Sequence, residues 1–120
     1  MSGNINFNGW LNDDGSENYK CRAWVNFNGE GTVAIRASGN VSSITDNGTG
    51  DYTINFTTAM PDADYCFTGM TQVTYTSETY GRVLSGKNNV APTTTSMRVV
   101  TITTSVGKED FSHVCVSFFR

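Results

Sequence analysis

Charge is scarce in this chain of 120 residues. Only 16% of the residues are Asp, Glu, Lys or Arg, against about a quarter in an ordinary globular protein. Eight basic and eleven acidic residues give a formal net charge of −3, and the sequence has no basic run. Nucleic acid and anionic membrane surfaces attract proteins through clustered Lys and Arg. We therefore expect neither of them as a partner.

Long apolar stretches are also missing. No run approaches the length that a membrane-spanning helix needs. The first fifteen residues, MSGNINFNGWLNDDG, lack the basic region and the apolar block of a signal peptide. The sequence thus predicts that the protein does not insert into a membrane. It also predicts synthesis in a cytoplasm, without a secretion signal.

Residues that carry chemistry are few. His113 is the single histidine, and no sequence pattern pairs it with a cysteine as a catalytic base. The acidic residues fall almost entirely in turns, where Asp and Asn ordinarily hydrogen-bond the backbone, rather than as the paired carboxylates of a glycosidase. We therefore predict no catalytic residues, no metal site and no cofactor.

The three cysteines, Cys21, Cys66 and Cys115, are odd in number and far apart in sequence. Such spacing does not fit a disulfide framework or a zinc site. Because each lies in a strand-like run, we expect small buried side chains in a reducing cytoplasm. A Cys21–Cys66 bridge and a reactive thiol are the alternatives.

What the sequence does contain is alternation of apolar and polar residues. The clearest runs place Cys21, Ala23, Val25 and Phe27 on one face, then Val33 and Ile35, then Tyr52, Ile54 and Phe56. A period of two is the signature of half-buried strands. Between the runs stand the turn sequences NGEG (28–31) and DNGTG (46–50), and Gly and Asn tolerate positive φ.

Strands are therefore predicted at the spacing of a sandwich or barrel. Their expected ranges are 19–28, 32–38, 41–46, 51–57, 64–75, 82–85, 96–104 and 112–119. A short helical turn is expected at 59–63, where Pro61 fits a helix start. The fold class is all-β, an antiparallel and jelly-roll-like β-sandwich in a single domain of residues 19–120, with residues 1–18 as an N-terminal arm or edge segment.

The last predicted strand carries apolar residues on both faces, with Val114, Val116 and Phe118 opposite Cys115 and Phe119. Such a strand must be central in its sheet, or a second subunit must cover it, because a monomer rarely exposes a large apolar patch. We accordingly expect a homo-oligomer.

Four runs in residues 21–67, AWVNFNG, GTVAIR, NVSSITDNGTGDYT and INFTTAMPDADY, resemble a module at the C-terminal ends of bacteriophage tail fibre proteins, particularly those of marine and cyanobacterial phages. The rest of the chain to Arg120 resembles it more loosely. The resemblance implies a distal, non-enzymatic tail fibre domain in the virion, assembled as a homotrimer. The implied partner is a host surface polysaccharide or outer-membrane protein. Two other functions remain open: a structural tail-tip or trimerisation module without receptor contact, and a stand-alone lectin-like carbohydrate-binding protein.

Candidate sites follow from two arguments. Loops on a rigid β scaffold ordinarily carry function, and aromatic faces stack on sugar rings; the candidate binding residues are Tyr75, Glu78, Tyr80, Lys87, Asn88 and Asn89. The candidate interface residues are Trp24, His113 and Phe119. Trp24 could instead stack on a sugar, and in a trimer three copies of His113 could meet on the axis around a metal or an anion.

Overall fold

A computed structural model of the chain describes residues 3–6, 9–16, 19–74 and 81–120. Within these ranges the chain forms eleven strands and no helix. The strands are β1 (Gly3–Asn6), β2 (Gly9–Asn12), β3 (Cys21–Asn28), β4 (Ala34–Gly39), β5 (Val41–Gly48), β6 (Asp51–Phe56), β7 (Cys66–Gln72), β8 (Arg82–Gly86), β9 (Ser96–Thr103), β10 (Gly107–Lys108) and β11 (His113–Phe119).

Two antiparallel sheets form the body of the protein. One has the strand order β4-β3-β11-β7, and we call it the four-stranded sheet. The other, the five-stranded sheet, has the order β10-β9-β6-β5 with β8 also paired to β9. The predicted all-β antiparallel sandwich is confirmed. The doubly apolar strand β11 is central in its sheet, which is one of the two arrangements that its sequence left open.

The predicted turns join these strands. The β5–β6 hairpin closes at Gly48, which pairs with Asp51, and Gly48 and Gly50 have φ of 128° and 60°. Gly31 has a φ of 59° in the turn between β3 and β4. Glycine reaches this region of φ without the steric penalty that other residues meet.

The core lies between the two sheets. Its largest fully buried side chains include Tyr52 and Ile54 on β6, Phe27 on β3 and Phe118 on β11. Phe118 packs edge-to-face on Phe56, with ring centroids 5.0 Å apart, and Phe27 does the same with Tyr52 at 5.1 Å. Such aromatic pairs contribute about 0.5–1.5 kcal/mol each beyond their buried area. The predicted inward positions are confirmed on three strands: on β3 from Ala23 onward, on β6 from Tyr52 onward and on β11 from Val114 onward.

The hydroxyl of buried Tyr52 lies between two acceptors. Its hydroxyl donates to the Asp110 carboxylate at 2.6 Å and lies 3.0 Å from the Gly29 carbonyl oxygen. Burial raises the pKa of the Tyr52 phenol, and the Asp110 carboxylate raises that pKa further. The phenol therefore stays a neutral donor, tying the β3–β4 turn to the approach to β11.

Two local predictions were wrong. Residues 59–63 form bends rather than a helical turn. Here the backbone is held by bonds to the segment before β9, since the Met60 amide donates to the Thr94 carbonyl at 2.7 Å. A contact across the fold thus replaces the local hydrogen bonds of a helical turn.

The cysteines were also predicted wrongly, because Cys21 and Cys66 are exposed and Cys115 is only half-buried. Cys66 and Cys115 occupy outward positions of the four-stranded sheet. Cys21 lies beside the register shift between β11 and β3, and it leaves the core face there. All three thiols are free. Cys21 and Cys66 pair with Phe119 from opposite sides, so they are two strand spacings apart, about 10 Å, beyond the reach of a disulfide.

The N-terminal segment forms a hairpin of its own. β1 pairs antiparallel with β2, and these two strands make a separate two-stranded sheet. No helix in the described ranges has the length and apolar character needed to cross a membrane.

Candidate binding groove on the outer face of the four-stranded sheet

Strand pairing brings residues from three distant segments onto one outward face. Trp24 on β3 lies opposite Ser117 on β11, and Ser117 lies opposite Thr68 on β7. In the next row Asn26 lies opposite Cys115, which in turn lies opposite Met70. His113 and Gln72 make a further pair. The face thus brings together, on three neighbouring strands, residues that are nearly 90 positions apart in the sequence.

This face holds an open groove of about 770 Å³. That volume is within the range of small-molecule binding sites, about 300–1,000 Å³. Its lining consists of Trp24, Val25, Asn26, Thr68, Gly69, Met70, Thr71, Gln72, His113, Cys115, Val116 and Ser117. We refer to it below as the groove.

Two exposed apolar side chains stand on the strands that flank β11. Trp24 is 43% exposed, and Met70 is 77% exposed. Gly39, the register partner of Trp24, has the indole directly over it, where a Cβ on residue 39 would collide with the indole nitrogen. Glycine at position 39 therefore lets the indole lie against strand β4. Two strand spacings, about 10 Å, separate the backbones that carry Trp24 and Met70.

Gly69 lies where the backbone of the neighbouring strand comes close. Strand β7 pairs with β11 without a register shift from Cys66 to Gln72. A Cβ on residue 69 would instead lie 2.5 Å from the Cys115 carbonyl oxygen and against the Leu84 side chain. The close approach is what the structure shows.

The groove also holds polar groups that are not engaged elsewhere in the described ranges. The Asn26 side-chain carbonyl oxygen accepts a bond from Arg36 at 3.3 Å, while its NH₂ group has no hydrogen-bond partner among the described residues. The hydroxyl of Ser117 and the amide of Gln72 have no hydrogen-bond partner among the described residues. These groups can donate to and accept from a ligand.

His113 presents an acceptor to the groove. The Ser112 hydroxyl donates to the Gln72 carbonyl at 3.0 Å, so its hydrogen is already used. His113 Nδ1 lies 3.3 Å from the same hydroxyl oxygen, and this contact therefore needs the ring hydrogen on Nδ1. In the neutral imidazole the other nitrogen, Nε2, is then an acceptor.

The outer face of the five-stranded sheet is different, because its polar side chains bond one another. Asn55 Nδ2 donates to Ser43 Oγ at 3.1 Å and to Thr45 Oγ1 at 3.0 Å. Asn47 Nδ2 donates to Thr53 Oγ1 at 2.8 Å. We call this set of β5 and β6 side chains the polar ladder.

Beside the polar ladder, three cations surround one carboxylate. Arg98 binds Asp51 through two bonds of 2.8 and 3.0 Å. The ammonium nitrogens of Lys87 and Lys108 each lie 3.8 Å from Asp51 Oδ2. The hydrogen bond from Arg98 is the main reason that the pKa of Asp51 lies below its ordinary value of 3.8. We call these four residues the Asp51 cluster.

The predicted site residues separate into three groups. Trp24, His113 and Phe119 lie on the outer face of the four-stranded sheet, and Phe119 is 40% exposed. Lys87 belongs to the Asp51 cluster, and Asn88 and Asn89 are exposed in the turn that follows, where Asn89 has a φ of 62°. Tyr75, Glu78 and Tyr80 lie outside the described residues, and their binding role stays a prediction.

Sequence reasoning missed Asn26, Met70, Gln72 and Ser117 as groove residues, and it missed Arg98 and Lys108. For Asn26 and Ser117 a signal existed, since both occupy outward positions of strands whose inward faces were predicted. Which strands would be neighbours was not readable from local pattern.

No group of three or more His, Cys, Asp or Glu side chains in the described ranges is arranged to hold a metal ion. Comparisons of the chain with protein-family models, with curated proteins and with solved structures find no match in any of the three.

Proposed function

We propose that this protein is a non-catalytic recognition domain that binds a saccharide in the groove, and that it serves as the receptor-binding distal domain of a phage tail fibre. The tail fibre context rests on the sequence resemblance of residues 21–67. The saccharide-binding role rests on the groove itself. A host surface polysaccharide is the ligand class that both arguments share.

The observation that carries the proposal is the combination of an exposed indole with unengaged polar groups in one groove. Sugar rings have apolar C–H faces and a rim of hydroxyls. The Trp24 indole can stack on the ring face, while the NH₂ of Asn26 and the Nε2 acceptor of His113 can bond hydroxyls. A small number of fixed polar groups in a mostly apolar site is the usual basis of orientation and specificity.

The composition of the groove supports binding without turnover. Glycoside hydrolysis ordinarily needs two carboxylates that flank the bond to be cleaved. Among the described residues that line the groove there is no carboxylate. Cys115, in its floor, is half-buried beneath the neighbouring side chains.

A second function, self-association, is favoured by the same face. Trp24, His113 and Phe119, which were predicted as interface residues, share it with Met70. A homotrimer that buries this face would remove the exposed apolar area from water, which is the dominant favourable term in most protein association. The unengaged polar groups in the groove favour the saccharide, since a uniformly apolar face would suit a second copy better.

The test is a titration of the protein with oligosaccharides prepared from host surface polysaccharide, read by calorimetry. We expect Trp24→Ala to weaken binding about tenfold or more, which corresponds to about 1.4 kcal/mol. Tyr19→Ala is the matched control, because Tyr19 is a 77% exposed aromatic outside the groove lining; it should bind as the wild type does.

Three other results would count against the proposal. Equal losses in the Trp24 and Tyr19 variants would show that the indole has no specific role. Shorter oligosaccharides appearing during incubation would contradict the non-catalytic part. A trimer in light scattering that Phe119→Lys and Trp24→Ala both dissociate, together with no saccharide binding, would establish self-association instead.

A further inference from the structure

The Asp51 cluster contains more positive charge than its carboxylate needs. The Asp51 side chain is 5% exposed, and a buried carboxylate requires a compensating partner. Arg98 supplies it, since a two-bond guanidinium–carboxylate pair is the strongest geometry for such a contact. Lys87 and Lys108 are then two further cations around one anion, and the cluster has a surplus of two positive charges.

The two lysines do not hydrogen-bond Asp51. Each ammonium nitrogen is 3.8 Å from Oδ2, beyond the N–H···O distance of about 2.7–3.2 Å. Their side chains are 30% and 48% exposed. Both ammonium groups therefore keep N–H donors directed to water. Repulsion from the positive charge of Arg98 opposes their position beside Asp51.

The geometry brings these two donors close to each other. Since both nitrogens lie 3.8 Å from the same oxygen, they are at most twice that distance apart. A single carboxylate, sulfate or phosphate group has several oxygens and can accept from both. Lys87 leads into the Asn88–Asn89 turn, so the cluster opens toward an exposed segment that offers two amides.

Two nearby acidic groups, Asp110 and Asp46, do not neutralise the surplus. Asp110 accepts from the Gly50 amide at 2.7 Å and from the Tyr52 hydroxyl at 2.6 Å, so its carboxylate is directed to the interior. Asp46 accepts from the Gly48 amide at 3.0 Å in the β5–β6 turn. Neither forms an ion pair with Lys87 or Lys108 in the described ranges.

We propose that Lys87 and Lys108 form a binding site for one anionic group, a carboxylate, sulfate or phosphate ester, carried by an acidic polysaccharide. Asp51 and Arg98 position the two ammonium groups, and Asn88 and Asn89 lie where the adjoining sugar would pass. This site is on the opposite sheet from the groove and does not depend on saccharide binding there.

The experiment compares dextran sulfate with neutral dextran, which share a backbone and differ in the anionic group. Binding is measured by calorimetry at fixed ionic strength for the wild type, for Lys87→Gln/Lys108→Gln and for Lys20→Gln. Lys20 is the one other lysine of the chain and lies outside the cluster, so its variant controls for the loss of one positive charge elsewhere in the protein. We expect dextran sulfate to bind and dextran not to bind, with a loss of tenfold or more in the double variant and less than twofold in Lys20→Gln.

Two further measurements keep the test decisive. Lys108→Arg retains the charge and should retain most of the affinity, while the melting temperature of the double variant shows whether it folds. Inorganic sulfate that shifts the backbone amide resonances of Lys87 and Lys108, and competes with the polymer, supports the site. Sulfate that produces these shifts while the polymer does not bind supports an anion site whose ligand is a free anion. Equal losses in the double variant and in Lys20→Gln, or no binding of either anion, would overturn the proposal.

Discussion

The two outer faces of this sandwich are built from similar residue types and use them in opposite ways. On β5 and β6, the side-chain amides of Asn47 and Asn55 donate hydrogen bonds to neighbouring Ser and Thr hydroxyls. On β3, β7 and β11, Gln72 and Ser117 keep theirs unengaged among the described residues, beside the exposed Trp24 and Met70. The polar side chains of one face are hydrogen-bonded within the chain, and the other face leaves both apolar area and hydrogen-bonding capacity exposed.

Under the proposed function, this difference assigns stability to one face and recognition to the other. A side chain whose hydrogen bonds are made inside the chain contributes to folding, at about 0.5–1.5 kcal/mol for each bond. A side chain whose partners are absent contributes little to folding and is available for binding. Substitutions on the five-stranded face should therefore change the free energy of unfolding, whereas those in the groove should change affinity. The predictions below test this division.

The largest effect on stability should come from Asp51→Asn. This variant keeps the shape of the side chain and leaves Arg98, Lys87 and Lys108 without their anion. Removing one partner of a fully buried pair costs about 3–5 kcal/mol; because Arg98 is 33% exposed, we expect about 2 kcal/mol, measured as a lower urea midpoint with an unchanged slope. Asp64→Asn, the same charge change at an exposed position, should stay within 0.5 kcal/mol of the wild type. Equal midpoints for the two variants would show that the cluster does not stabilise the fold.

Acid should remove the same contribution gradually. The pKa of Asp51 is lowered in the folded state, first by its bond from Arg98, so below the ordinary value of 3.8 the unfolded chain takes up the proton before the folded one. The stabilisation is therefore complete above about pH 4 and is lost as the pH falls through the lowered value. Urea midpoints between pH 5 and 2 should fall more steeply for the wild type than for Asp51→Asn. Parallel pH profiles would exclude this origin of acid sensitivity.

Much of the fold could be read from the sequence because one face of each strand is buried. The alternation in residues 21–27, 51–57 and 112–119 predicted which side chains form the core. A one-residue shift in strand register would have moved every one of these side chains to the opposite face of its sheet. Turn boundaries followed from glycine, as at Gly31 and Gly48. What local pattern could not supply was the pairing of β3 with β11, nearly 90 residues apart, or the register shifts beside Asn26 and Phe118.

The sites were harder to predict for the same reason. Trp24 and Met70 form one groove only because β11 pairs with both of their strands, and Lys87 meets Lys108 only because β8 and β10 both pair with β9. Trp24, His113 and Lys87 could be selected by residue type alone. Met70, Gln72 and Lys108 become functional candidates only through the long-range strand order.

A smaller loss should follow from Asn55→Ala. Asn55 donates to Ser43 and Thr45, and its loss removes both bonds from a surface that water can reach, so we expect about 1 kcal/mol. Saccharide binding in the groove should not change.

In contrast, Gln72→Ala removes an amide that has no partner among the described residues. This variant should leave the unfolding free energy within about 0.5 kcal/mol of the wild type and weaken saccharide binding. A reversal of these two results would mean that the roles of the two faces were assigned the wrong way round.

The smallest effect on stability should come from Met70→Thr, although Met70 is the most exposed apolar side chain of the groove. At 77% exposure it has little burial to lose, and Thr suits a strand better than most polar residues. We therefore expect an unfolding free energy within about 0.5 kcal/mol of the wild type. The same substitution removes one apolar side of the groove, so a saccharide held between Met70 and Trp24 should dissociate several times faster. If Met70→Thr instead lowered stability by more than 1 kcal/mol, and the size of the loss depended on protein concentration, Met70 would be buried in an assembly, and the groove face would belong to a subunit interface.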